Sequence, residues 1–290
     1  MSVATPLRIA YIILAFALGV GLAAASMLGL VDLLGGDSGA TEPPPPFSLA
    51  SYTYTPIIAL IVMLSATAAK RHLWPILGLL CWFLLGGAVL DALYVLWLFV
   101  RHGVVPETLD DAFAVIWAAF PMFGLWLASR GGSHDDAVSA EAPSVSAQEK
   151  IRLRNTLVGM AAVSYFWRLI VVLFNPGMTF AIAYLRGLTE IYGPEQVTVS
   201  GIVGAGAAIV LLGCVVMTSK MSERIMHAAL AFTLGFALEG FLDTIDYALW
   251  LGSPRELTSS LQDTVAFVAC GAALALSLYG EQVSSRVTPA

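Results

Sequence analysis

The stretch IMHAALAFTLGFALEGFLDTIDYALWLG, Ile225–Gly252, decides how this chain reads. It is apolar on every face of a helix and is interrupted by three carboxylates only, Glu239, Asp243 and Asp246. Steps of four and three residues place those acids along one stripe. A hydrocarbon core of ~30 Å is crossed by roughly 20 residues of helix, and this stretch is longer than that. A carboxylate held inside a bilayer is costly, so it faces a partner, a cavity or a pathway. The stretch is therefore expected to span a membrane, and its acidic stripe is the lead to function.

Composition agrees. Of 290 residues, 58% are hydrophobic and 12% charged, and the mean hydropathy is +0.83. Soluble domains carry roughly 25% charged residues, and a globule of this length lacks the interior to bury so much apolar surface. The expected class is an all-α polytopic integral membrane protein. A net charge of −6 with 14 Lys and Arg residues excludes a nucleic-acid binder. Cys81, Cys214 and Cys270 stand alone within apolar segments, the pattern of small packing residues rather than of disulfides or zinc ligands. HExxH, P-loop and GxSxG motifs are absent, as is a histidine pair suited to haem. No cofactor, metal or catalytic residue is assigned.

Eight candidate spans follow from the apolar runs: Ile9–Val31, Phe47–Ala69, Leu73–Val100, Ala112–Ser129, Asn155–Phe174, Val197–Ser219, Ile225–Gly252 and Thr264–Gly280. The first, with Ala23-Ala24-Ala25-Ser26 near its end, imitates a secretory signal. It runs on uncharged to Val31, however, and reads as a retained helix. In this arrangement Arg8, Lys70, Arg71, Arg130, Lys150, Arg152, Arg154, Lys220, Arg224 and Arg286 share one side, against Arg101, Arg186 and Arg255 on the other. The positive-inside rule then puts both termini in the cytoplasm, with the plasma (inner) membrane as the location.

The chain divides into residues 1–130, a polar cytoplasmic linker at 131–150, residues 151–282 and a cytoplasmic tail at 283–290. The two long parts resemble each other. Leu7-Arg8 matches Leu153-Arg154, Lys70 matches Lys220, Gly87–Asp91 matches Gly235–Glu239, and Pro106 matches Pro254. Leu109-Asp110-Asp111 likewise matches Leu261-Gln262-Asp263. Two tandem four-helix halves in a parallel pseudo-repeat are expected, related by an axis along the membrane normal. The outer segment 178–192, with Arg186 and Glu190 among apolar residues, reads either as an interfacial helix or as an ordinary loop. Gly201, Gly204 and Gly206, like Gly86, Gly87, Gly235 and Gly240, are expected to let helices approach closely.

Depth sorts the charges. At a rise of ~1.5 Å per residue, Glu239 lies ~22 Å beyond Arg224 and Arg168 lies ~21 Å beyond Arg154, so the two share a level. A buried guanidinium takes a carboxylate partner, and Arg168 is expected to pair with Glu239 or Asp243. Asp91 is the acid of the first half. Asp246, Tyr94 and Tyr247 are weaker candidates, Asp246 as a solvated helix end. The constellation is expected to bind or move a small polar or anionic solute, with proton coupling, between the two halves. Two other classes stay open: an accessory, assembly or sensor subunit held by a membrane partner protein or a second copy of the chain, and a membrane enzyme acting on a lipid-like substrate. The lipid bilayer is a partner in all three.

Overall fold

A computed structural model describes residues 4–35, 58–64, 74–102, 109–131, 145–173, 194–216, 220–250 and 254–287, with part of their side chains. Every described residue is helical. In chain order the helices are α1 (Ala4–Gly35), α2 (58–64), α3 (Trp74–His102), α4 (Leu109–Gly131), α5 (Val145–Leu173), α6 (Pro194–Val216), α7 (Lys220–Trp250) and α8 (Pro254–Val287). Two windows, Pro6–Ala24 and Leu261–Leu278, combine the length and hydropathy needed to cross a membrane. Ile76–Val89, Ala118–Ser129 and Gly201–Val216 are apolar over shorter stretches, among the described residues.

Three helix ends differ from the sequence reading. α5 begins at Val145, inside the segment read as linker, because Ala147-Gln148-Glu149-Lys150 are good helix formers. α8 begins at Pro254, well before the apolar run it contains, since Pro suits the first helical position and the helix continues through polar residues. It also runs on to Val287, into the segment read as a tail. The outer segment 178–192 lies outside the described residues.

Apolar packing builds the interior. Tyr11 and Ala15 of α1, Ile58 and Val62 of α2, Leu77, Cys81 and Leu84 of α3, and Phe120 and Leu127 of α4 form one core. Helix α1 is thus a packed member of the bundle: Tyr11 stacks on Phe120 at 4.8 Å, and its hydroxyl lies 3.5 Å from Cys81 Sγ. A second core joins Val158 and Ala161 of α5, Leu211 of α6, Met226 and Leu230 of α7, and Ala269, Cys270 and Ala273 of α8. A third continues it through Ala162, Tyr165, Ala208, Phe236, Ala237 and Ala266, with Val89 of α3 packed against it.

Buried positions recur in α3 and α7 at one constant offset. Leu77, Cys81, Leu84 and Ala88 are buried on α3, and Met226, Leu230, Thr233 and Ala237 are buried on α7. The same offset carries Ala59 and Val62 of α2 onto Ala208 and Leu211 of α6, and Phe120 of α4 onto Ala269 of α8.

Contacts along the helices fix their directions. Arg154 meets Glu223 at one end and Tyr165 meets Phe236 further on, so α5 and α7 run parallel. Ser277 meets His227 while Phe267 stacks on Phe241, so α8 runs antiparallel to α7.

The closest helix approach lies between α3 and α7, and it is reciprocal. A Cβ added at Gly86 would overlap the Phe232 carbonyl oxygen and sit 2.8 Å from its carbon and 2.9 Å from Phe236 N. A Cβ added at Gly235 would overlap the Phe83 carbonyl oxygen and sit 2.7 Å from its carbon and 3.1 Å from Gly87 N. Only glycine lets two backbones meet in this way. Gly204 receives the Tyr165 ring at 3.0 Å from its would-be Cβ, whereas Gly201 and Gly206 face open space. Close approach is thus a property of particular glycines and not of the whole cluster.

Candidate functional site

The candidate site lies just beyond the α3–α7 crossing, toward the C-terminal ends of α5 and α7. Its floor is aromatic: Tyr165 of α5 meets Phe236 of α7 edge-on at 5.4 Å, and Phe236 stacks on Phe232. Arg168 follows Tyr165 by three residues and Glu239 follows Phe236 by three, each rising ~4.5 Å along parallel helices. Their backbones therefore share a level. By the ~100° turn per residue, positions 239, 243 and 246 lie within about 80° of the direction in which Gly235 faces α3. The acidic stripe continues the α3-facing edge of α7 past the crossing.

A further acid completes this layer. Asp263 of α8 is 8% exposed, and its side chain packs on the backbone at Gly240. A Cβ at Gly240 would lie 2.5 Å from the Asp263 Cβ and 2.8 Å from its Cγ, so glycine is what admits the carboxyl here. Gln262 beside it is also buried, and Phe241 stacks on Phe267 at 4.4 Å to close the layer on the α8 side. A buried carboxyl in low dielectric is retained where hydrogen bonds or countercharge compensate it.

Among the residues expected from the sequence, Arg168 lies on α5, Glu239, Asp243, Asp246 and Tyr247 on α7, and Asp91 and Tyr94 on α3. The side chains of all seven lie outside the described residues, so the structure brings together their helices and levels rather than their atoms. Asp91 stands apart. It follows Gly86 by five residues, as Gly240 follows Gly235, and thus lies about 140° round α3 from the crossing. The packing register matches position 91 with Gly240, not with Glu239.

Sequence reasoning missed Asp263, because it falls one residue before the apolar run Thr264–Gly280 and reads there as a loop acid. It also missed a polar group at the opposite end of α7, where His227 and Ser277 meet Arg154. Thr233 is fully buried just before the crossing, and its Oγ1 has no hydrogen-bond partner among the described residues. Among the described residues no three His, Cys, Asp or Glu side chains group closely enough to hold a metal. No family model matches the chain, and neither a curated protein nor a solved structure gives a match.

Proposed function

We propose that this chain is an integral membrane protein of eight transmembrane helices, built as two tandem four-helix halves with both termini in the cytoplasm. We propose further that it binds and moves a small polar or anionic solute, with proton coupling, at the polar layer beyond the α3–α7 crossing. The membrane reading is supported by exposed apolar side chains on each of the eight described helices, among them Ile13, Leu60, Val100, Met122, Val163, Ile209, Ile225 and Val268. Helices apolar on the outside as well as the inside suit lipid. Duplication is supported by the constant offset of buried positions and by the reciprocal glycine contact at the α3–α7 crossing.

The observation that carries the solute site is Asp263 buried against Gly240, next in sequence to Glu239 and at the level of Arg168. Acidic positions at one level on neighbouring helices, with a basic position at that level on α5, match the sequence pattern by which intramembrane carboxylates carry protons or hold polar solutes. The α3–α7 crossing closes the space between these two helices on the side of the layer that the eight-span reading makes cytoplasmic. The same closure favours the second reading, a non-transporting subunit of a membrane complex.

Flux decides between them. The full chain in proteoliposomes, with a pH dye inside, is challenged with a panel of small anions and zwitterions. Solute-driven proton movement that is lost in Glu239→Gln supports transport. Flux indistinguishable from empty liposomes, together with a partner protein that stays bound through purification, gives the subunit reading.

A further inference from the structure

A second polar constellation lies ~20 Å from Gly240 along α7, at His227, by the rise per residue. It joins three helices. Arg154 of α5 places Nη1 3.5 Å from Ser277 Oγ of α8, and Ser277 Oγ lies 2.8 Å from His227 Nε2 of α7. The Arg154 Nε and Nη2 atoms each donate to Asn155 Oδ1 at 3.4 Å, and Nη1 lies 3.7 Å from Glu223 Oε1. The Arg154 side chain is 14% exposed, so it is held in the groove rather than extended into solvent.

These contacts leave the guanidinium poorly matched. Charge-assisted hydrogen bonds from Arg to an anion measure about 2.7–2.9 Å, and among the described residues every polar contact of the Arg154 guanidinium is longer by half an ångström or more. Its one anionic neighbour among the described residues, Glu223, is half-exposed. Ser277 Oγ stands between the His227 imidazole and the Arg154 guanidinium, so the three groups form one contiguous polar strip across α5, α7 and α8. That donor set suits a tetrahedral oxyanion better than a single carboxylate. Lys150 and Arg152 of α5 and Arg224 of α7 are exposed at the same helix ends and add positive potential there.

We propose that the groove between α5, α7 and α8 at the Arg154–His227–Ser277 cluster binds a phosphate group carrying net negative charge. In the membrane reading this end of α7 lies at the cytoplasmic leaflet, where basic pockets between helices take anionic lipid headgroups. A soluble phosphate presents the same chemistry. The inference does not rest on the outer solute site, which involves none of these residues.

The test uses the full chain purified in mild detergent. Phosphatidylglycerol, phosphatidylcholine and inorganic phosphate are titrated separately, and binding is read from the thermal unfolding midpoint and from native mass spectrometry. Binding of phosphatidylglycerol but not phosphatidylcholine identifies a lipid headgroup, and binding of inorganic phosphate alone identifies a soluble ligand. Arg154→Gln is expected to weaken whichever probe binds by about tenfold, the fold-change of one charge-assisted hydrogen bond. Glu223→Gln removes the competing carboxylate and is expected to tighten binding several-fold, a gain that a merely structural ion pair would not give. Where Arg154→Gln does not fold, Ser277→Ala and His227→Gln decide, each with several-fold weaker binding. Glu239→Gln is expected to leave binding unchanged. The proposal is overturned by equal binding of the two lipids without phosphate binding, by folded Arg154, Ser277 or His227 variants that bind as tightly as the parent, or by equal loss in Glu239→Gln.

Discussion

Gly235→Ala should be the most damaging single methyl that can be added to α7. The added carbon would sit 2.7 Å from the Phe83 carbonyl carbon and 3.1 Å from Gly87 N, and would overlap the Phe83 oxygen as well. Carbon atoms rest at about 3.5–4.0 Å, so α3 and α7 must separate by about 1 Å. The opposing atoms are backbone, and no rotamer change relieves them. A gap of 0.5–1 Å forfeits roughly a quarter to a half of each dispersion contact it crosses, and overpacking costs about 1–3 kcal/mol at ordinary sites. Alanine returns about 1 kcal/mol through helix propensity, so the net loss should approach about 2 kcal/mol, the upper end of the overpacking cost less that return. Gly206→Ala on α6 is the matched control, since nothing lies within 4 Å of its would-be Cβ. The unfolding midpoint of the full chain in detergent should fall for Gly235→Ala and Gly86→Ala and hold or rise for Gly206→Ala. A Gly235→Ala protein as stable as the Gly206→Ala protein would refute the crossing.

Three further outcomes are expected. Gly240→Ala should lower stability less than Gly235→Ala, because the Asp263 side chain can move where backbone cannot, yet it should impair solute-driven flux; unchanged flux would separate Asp263 from the site. Arg168→Ala and Glu239→Ala, made singly and together, should show a coupling energy of about 1 kcal/mol or more by double-mutant cycle on stability, and strictly additive losses would break the pair. Thr233→Val keeps the shape of a fully buried side chain and removes its hydroxyl. It should be neutral or stabilising by up to about 2 kcal/mol, and a clear drop in unfolding midpoint would show that the hydroxyl is bonded.

Much of this architecture was legible in the letters, because long apolar helices announce themselves by length and by what they lack. The eight described helices occur where the eight apolar runs do. Their ends were harder. Hydropathy marks the part of a helix suited to lipid, whereas hydrogen bonding continues until caps or prolines stop it, so α8 reaches back to Pro254 and carries Asp263 into the packed region. The register in which α3 packs on α7 differs by one residue from the match of letters, for a related reason. Matching letters aligned Gly87 with Gly235, but Val, Leu and Ala are interchangeable in such helices, and burial aligns Gly86 with Gly235 instead. At that packing offset position 91 falls on Gly240 and not on Glu239. The Arg154–Ser277–His227 group joins helices more than 100 residues apart in sequence, and neither composition nor spacing could have joined them.

The proposed topology has α7 crossing the membrane, with its acidic end on the outer side of the glycine crossing and its Glu223 end in the cytoplasm. Cysteine accessibility tests it directly. In a chain with Cys81, Cys214 and Cys270 replaced by alanine, Asp243→Cys and Glu223→Cys are each exposed to a membrane-impermeant maleimide in oriented vesicles. The account predicts that position 243 reacts only from the outer face and position 223 only from the cytoplasmic face. Labelling of both positions from the same face, or of position 243 from the cytoplasm, would contradict it.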